Sequence, residues 1–296
     1  MEQEQQFTYY WYAARQAVEE EDFPKALVLL EFCHAIKPND GQTLGYLGII
    51  YNGLGKKELA LDTYRQAFEA DPRDQWYRYA NALKELHTEE GEREALKVME
   101  KALPLNPKDE DLLEMLMRQY GADKQWKKAL SMQDRLDAIR GYNALSALNR
   151  FRVYAMQEKY KQALAALDKY LEQDPTNLQF LVFRVELLEQ TKAKTADLYA
   201  AYDKVLAVHP EHLGILNNYA YHLATHKGDL QKAERMSAIT IKEQPTNAIY
   251  LDTYGWILHM QGQKELALFY LQRALSNSTS EQVTKEVNKH IKQIKP

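Results

Sequence analysis

The chain has 296 residues, 45% of them hydrophobic and 27% charged, an ordinary balance for a folded domain. Its 42 acidic side chains slightly outnumber the 38 basic ones, and the two signs are mixed along the chain. That argues against a general nucleic-acid surface, where phosphate neutralisation needs clustered Lys and Arg. A single cysteine, Cys33, excludes an internal disulfide and any cysteine-based metal knuckle.

The first residues, Met1 to Gln6, are polar and acidic, with no positively charged start leading into an apolar run. No apolar run reaches the roughly 18 residues that a membrane-spanning helix needs. The expectation is a cytoplasmic protein without membrane insertion; the alternative is a periplasmic or lipid-anchored one whose leader has been removed. The opening helix crowds Phe7, Tyr9, Tyr10, Trp11 and Tyr12 into one stretch. These rings are expected to pack on Phe23 and Leu30, and a sharper reading makes them a patch for a homodimer or another partner.

From Gly41 to Asp74 two amphipathic segments flank Gly53 and Gly55. Leu44, Leu47, Gly48 and Tyr51 mark the first and Ala60, Tyr64 and Ala67 the second, at the three- and four-residue spacing of helices. The pattern predicts one helical hairpin of 34 residues, closed by Asp71-Pro72. Two ladders then show that the hairpin repeats. Prolines stand at Pro38, Pro72, Pro107, Pro175, Pro210 and Pro245, at gaps of 34, 35, 68, 35 and 35 residues, with Gly141 in the long gap. Alanines stand at Ala26, Ala60, Ala95, Ala129, Ala163, Ala233 and Ala267, and Leu198 fills the missing rung.

Each ladder has a cause. A small residue lets the two helices of a hairpin approach, with Gly48 and Gly255 as matching small residues on first helices. Ala67, Ala102 and Ala274 form a second small column, in which Cys33 takes a place as a buried, inert thiol. Proline disfavours helix at and before its own position, so it punctuates the units. The array is expected over 7–277, in eight units at about 7–40, 41–74, 75–109, 110–143, 144–177, 178–212, 213–247 and 248–277. Three units depart from the pattern. The third has extra residues between His87 and Gly91, the fourth has Gln133 where Tyr64 would be, and the sixth has an unusually apolar first helix from Leu178 to Gln190. Residues 278–296 are expected to form a capping helix and tail. Thr279 and Gln282 have capping-box spacing, Val283, Val287, Ile291 and Ile294 make one apolar stripe, and Lys285, Lys289, Lys292 and Lys295 lie on the other faces.

Leu47-Gly48, Tyr51, Ala60, Tyr64, Ala67 and Pro72, with Leu251, Tyr254-Gly255, Gly262, Ala267, Leu271 and Ala274 in the last unit, resemble the tetratricopeptide repeat (TPR) pattern. Trp76-Tyr77-Arg78-Tyr79-Ala80-Asn81 looks like the family's opening motif, and the stretches from Leu216 and from Tyr250 are similar to the ends of bacterial multi-repeat TPR proteins. The resemblance implies an all-α, right-handed superhelical solenoid with first helices lining a concave groove for peptides or partner domains. One branch of the family clamps acidic chaperone tails. Asn81 matches one place of that clamp, but Tyr77 stands where its lysine should be, so chaperone binding is not expected.

Chemical motifs are otherwise missing. Gly53-Leu54-Gly55-Lys56 fails the spacing of a phosphate-binding loop and reads as a turn. His222 and His226 share a helical face, yet no glutamate follows His222, and His209 and His212 flank a turn at Pro210, so no metal site is expected. No paired carboxylates or nucleophile constellation are apparent, and neither enzyme activity nor a cofactor is expected. The leading reading is a protein-interaction scaffold, and the alternative is a structural subunit docking through terminal or edge surfaces. The groove residues picked by helical offset are Trp11, Arg15, Gln42, Asn52, Tyr77, Asn81, Lys84, Arg118, Arg152, Asn217, Tyr221, Asp252, Trp256 and His259. Aromatic and arginine side chains dominate binding hot spots, which favours this set.

Overall fold

A computed structural model describes residues 2–294, and all regular structure among them is helical: seventeen helices and no strand. The helices come in consecutive pairs. They are α1 (Gln3–Glu19) with α2 (Phe23–Ile36), α3 (Gly41–Gly53) with α4 (Lys57–Ala70), α5 (Trp76–Lys84) with α6 (Glu89–Ala102), and α7 (Glu110–Ala122) with α8 (Trp126–Arg140). Then follow α9 (Ala144–Met156), α10 (Tyr160–Leu171), α11 (Leu178–Gln190) with α12 (Thr195–Val208), α13 (Leu213–Thr225) with α14 (Leu230–Glu243), and α15 (Ala248–Met260) with α16 (Lys264–Asn277). The last helix is α17 (Glu281–Ile294). Lys295 of the expected cap lies outside the described residues.

Local chemistry sets the boundaries. Six helices, α3, α7, α9, α11, α13 and α15, begin at side-chain caps: Asp40, Asp109, Asn143, Asn177, His212 and Asn247 each accept a hydrogen bond from a backbone N–H of the first turn. Every turn inside these pairs, and the α9–α10 connection, carries one residue in the left-handed region: Glu21, Gly55, His87, Lys124, Glu158, Lys192, Lys227 and Gly262, with φ from 49° to 84°. Only two of these eight are glycine, so the tight reversal is imposed by packing at the remaining six positions against a local steric cost. Helix α17 starts at Glu281, one residue later than the Thr279–Gln282 capping spacing implies. Its entry is held by Ser278 instead, whose hydroxyl accepts from the Thr284 hydroxyl at 2.9 Å.

The alanine ladder is core. Ala26, Ala95, Ala129, Ala163, Ala233 and Ala267 are fully buried, as are Ala60 and Leu198 to within 2%. A Cβ on Gly48 would sit 2.5 Å from the Tyr64 ring, and one on Gly255 would meet the Leu271 side chain at 2.9 Å. Those glycines are therefore seats for a large side chain of the second helix. Cys33 is fully buried, and burial followed by the nearby Asp40 pushes its thiol up to about 11, so it stays protonated and inert at neutral pH.

The chain forms two compact units, divided after Gln157. The first holds α1–α9, the second α10–α17. In the first unit, one core joins Ala14, Ala17, Leu30, Leu47 and Ile50, and a larger one runs from Phe68 and Trp76 to Leu136. A polar network joins α8 to α9. The buried Gln133 donates to Asp137 at 2.7 Å and accepts from Asn149 at 2.9 Å, while Arg150 pairs with Asp134 and Asp137, both at 2.6 Å. This is how the fourth pair fills the place that Tyr64 takes in the second.

In the second unit, α11 places Phe180, Leu181, Val185, Leu187 and Leu188 in the interior, which accounts for its apolar sequence. Tyr202 stacks on Tyr219 at 4.7 Å, and the Tyr219 hydroxyl accepts from Lys232 at 2.8 Å. Helix α17 inserts Val287 and Ile294 among Leu251, Leu258, Leu271 and Ala274, so it covers the last pair.

Candidate functional site

First helices α11, α13 and α15 share a surface in the second unit with α17. Together they surround a pocket of about 1030 Å³. Helix α11 and its turn supply Leu188, Glu189 and Lys192. Helix α13 supplies Asn217, Asn218, Tyr221 and His222, followed by His226. Helix α15 supplies Ile249, Asp252 and Thr253, and α17 closes the wall with Gln282, Val283 and Glu286. Apolar walls with a few convergent polar groups are the usual composition of a binding site.

The polar groups are oriented by named partners. Tyr202 donates its hydroxyl to Glu189, which also accepts from Asn218 at 3.4 Å. Burial and then the hydrogen bond to Glu189 raise the Tyr202 hydroxyl above the ordinary phenol range, so it remains a donor and fixes the carboxylate. Asp252 lies against Nδ1 of the buried His290 at 2.9 Å, tying α15 to α17. The Tyr221 hydroxyl is raised by burial and then by Glu286 and Asp252, which places both carboxylates in its electrostatic surroundings. His222 contacts the Tyr199 hydroxyl at 3.4 Å and stacks on His226 at 3.8 Å. Its pKa is lowered by burial and by His226, which favours the neutral ring.

Two polar atoms here lack partners. Asn217 is 5% exposed; its amide nitrogen lies 3.5 Å from Asn218, and its side-chain oxygen is buried without a hydrogen bond. The Trp256 ring stacks on His290 at 4.3 Å, and its indole nitrogen is likewise buried and unpaired. Such atoms cost stability and are uncommon in native interiors.

Of the residues picked by helical offset, Asn217, Tyr221 and Asp252 line this pocket. Trp256 and His259 lie beside each other at 5.0 Å, with Trp256 packed toward α17. In the first unit, Trp11 stands edge-on to Tyr46 at 5.2 Å within a core cluster, and Arg15 pairs with Glu19 at 3.9 Å. Arg118 is exposed and pairs with Glu114 at 3.0 Å, and Lys84 lies 4.0 Å from Glu92. Tyr77 is 51% exposed beside Trp76; Asn52 and Arg152 are exposed, and Gln42 and Asn81 are half-buried. None of these lines either larger pocket of the first unit, one at Glu89, Arg93 and Asp123 and one at Tyr9 and Tyr12.

Sequence reasoning missed Glu189, Lys192, Asn218, Ile249 and the α17 wall. The phase of the sixth pair was obscured by Leu198 on the alanine rung, and α17 read as a cap with no binding role. No group of three or more His, Cys, Asp or Glu residues suited to a metal occurs among the described residues. No described helix is long and apolar enough to cross a membrane.

A family model described as tetratricopeptide repeat matches residues 148–211, and a second with the same description matches residues 43–74. No curated protein sequence matches the chain. Among solved structures, the C-terminal part of a TPR repeat-containing protein from Cytophaga hutchinsonii is similar over 83% of this chain and 98% of its own, at 16% identity and a TM-score of 0.58. The structure of Naa15/Naa10 bound to HypK-THB is similar over 98% of this chain and 66% of its own, at 12% identity and a TM-score of 0.52. A TPR protein from Parabacteroides merdae covers 97% of this chain and 99% of its own at 18% identity, with a TM-score of 0.47. At such identities the likeness concerns the fold alone. Paired helices with buried alanine rungs and the two matched repeat models show that the chain contains tetratricopeptide repeats, in a fold similar to that of the Cytophaga hutchinsonii protein.

Proposed function

We propose that this chain is a non-enzymatic adaptor that seats an extended peptide segment of a protein partner in the pocket formed by α11, α13, α15 and α17. TPR folds are in general scaffolds for protein–protein interaction. The observation that carries the reading is the buried, unpaired side-chain oxygen of Asn217 in the pocket wall. Once the Asn217 side chain rotates its buried oxygen into the pocket, a peptide backbone N–H would satisfy its unmet hydrogen bond, and Leu188, Ile249 and Val283 offer apolar contact to side chains. The test is selection of a random peptide library on the purified chain, followed by affinity measurement with variants. Tyr221→Ala is expected to weaken the selected peptides by about tenfold or more, roughly 1.4 kcal/mol. Arg118→Glu with Arg152→Glu is expected to leave them bound. The reverse pattern would move the site to the first unit and end this reading.

A second reading, docking through the amino-terminal pair, is favoured by Tyr9 and Tyr12, which are 63% and 64% exposed, next to the stack of Tyr10 on Phe32 at 5.0 Å. Light scattering of the parent and of Tyr9→Glu with Tyr12→Glu tests it. Concentration-dependent dimers lost in the variant support self-association, and a monomer at all concentrations rejects it.

A further inference from the structure

The pocket in the second unit is not electrically neutral. Three carboxylates line it, on Glu189, Asp252 and Glu286, against the single ammonium of Lys192. They come from three helices, so the acidity belongs to the assembled pocket and not to one acidic stretch of sequence. Their availability differs. Asp252 is engaged with His290. Glu189 receives the Tyr202 and Asn218 donors on one oxygen, Oε1. Glu286 is exposed on α17, and its charge reaches the Tyr221 hydroxyl.

The remaining surroundings also suit a cation. The Tyr221 ring and the neutral His222 ring border the same space. Aromatic faces attract ammonium and guanidinium groups in addition to any carboxylate pairing. The amide of Asn217, in the pocket wall and 5% exposed, supplies an independent pointer to a ligand, because no donor among the described residues pairs with its oxygen. An acidic peptide would instead face uncompensated like charge at Glu189 and Glu286.

Resting on the peptide-binding reading above, we infer that the pocket selects a segment carrying a lysine or arginine side chain, placed between Glu189 and Glu286 and bordered by Tyr221, while its backbone donates to Asn217. This is opposite in sign to a site for acidic tails. Lys192, exposed on the α11–α12 turn at the pocket's edge, then acts against the ligand.

Three fluorescein-labelled nonapeptides test the inference by anisotropy: alternating alanine with lysine, with norleucine, or with glutamate. The lysine peptide is expected to bind at least about tenfold tighter than the norleucine peptide and to weaken with added salt. Glu286→Gln is expected to weaken the lysine peptide about threefold to tenfold and leave the norleucine peptide unchanged. Because Glu286 is exposed, circular dichroism of that variant should match the parent. Lys192→Gln is expected to tighten the lysine peptide. Equal affinity for lysine and norleucine, or a preference for glutamate, would overturn the charge assignment while leaving a peptide site. No binding by any of the three would overturn the inference and the peptide reading together.

Discussion

The polar side chains of the α8–α9 joint in the first unit and of the pocket wall in the second are used differently. Around α7, α8 and α9 in the first unit they satisfy one another: Gln133 bonds Asn149 and Asp137, Arg150 bonds Asp134 and Asp137, and Arg118 bonds Glu114, while elsewhere in that unit His34 Nδ1 and Gln75 Nε2 are buried without a partner. In the second unit, Asn217, Ser237 and Trp256 each keep a buried polar atom without a partner, and of these three Asn217 lines the large pocket. A closed network stabilises and specifies packing, whereas an open one holds back hydrogen-bonding capacity that a ligand can use. The contrast lies between a closed network at α8 and α9 and an open acceptor at Asn217.

The strongest break in this contrast is Asp252→Ala. It leaves His290 buried without its partner and detaches α17 from α15. A loss of about 2–3 kcal/mol is expected, confined to the second unit and seen as faster amide exchange in α17. Unchanged α17 protection would show that the pair does not hold the helix.

A matched pair of substitutions addresses the polar atoms directly. Gln133→Leu should destabilise the first unit by about 2 kcal/mol, because Asn149 loses its acceptor in a half-buried setting. Asn217→Leu should stabilise the second unit by about 1 kcal/mol, because an unmet polar atom is replaced by an apolar group. Denaturant melts read both, and effects of the same sign would remove the distinction between the two sites.

Acid provides a smaller effect. The His222 pKa is lowered in the fold by burial and by His226, below the ordinary value of 6.5. Its contribution is therefore fully present above pH 6.5 and is lost as pH falls through the depressed value. Unfolding midpoints at pH 7 and at about pH 5.5, above the carboxylate range, should differ less in His222→Phe than in the parent. An identical difference in both would assign the acid loss to other groups.

The smallest expected effect lies at the turns. Lys124 adopts φ 57° and makes the left-handed reversal between α7 and α8. Lys124→Gly removes that strain and adds unfolded-state entropy, for a net gain of about 0.5 kcal/mol, whereas Gly55→Ala should cost about 1 kcal/mol.

The repeat was legible because its constraints are local and periodic. A rung such as Ala60 or Ala267 must stay small in every copy, and Asp71-Pro72 must end a helix wherever it occurs. The left-handed turn residues were legible only at Gly55 and Gly262, since Glu21, His87, Lys124, Glu158, Lys192 and Lys227 carry no such mark. The site was less legible because it is assembled from helices far apart in sequence. Helical offset placed Asn217 and Asp252 on an exposed stripe, yet both are buried, Asp252 because α17 folds across it with His290. An apolar stripe with charged flanks gave no sign that Val283 and Glu286 would form a pocket wall.

Two surface positions of nearly equal exposure allow a direct test of where a partner sits: Ile249, 50% exposed in the pocket wall, and Tyr77, 51% exposed in the first unit. A photoreactive benzoylphenylalanine placed at either position, irradiated with a biotinylated random nonapeptide mixture and read by streptavidin blot, measures contact there. The account predicts strong labelling from position 249, suppressed by excess lysine peptide, and background labelling from position 77. Labelling from position 77 alone would contradict it.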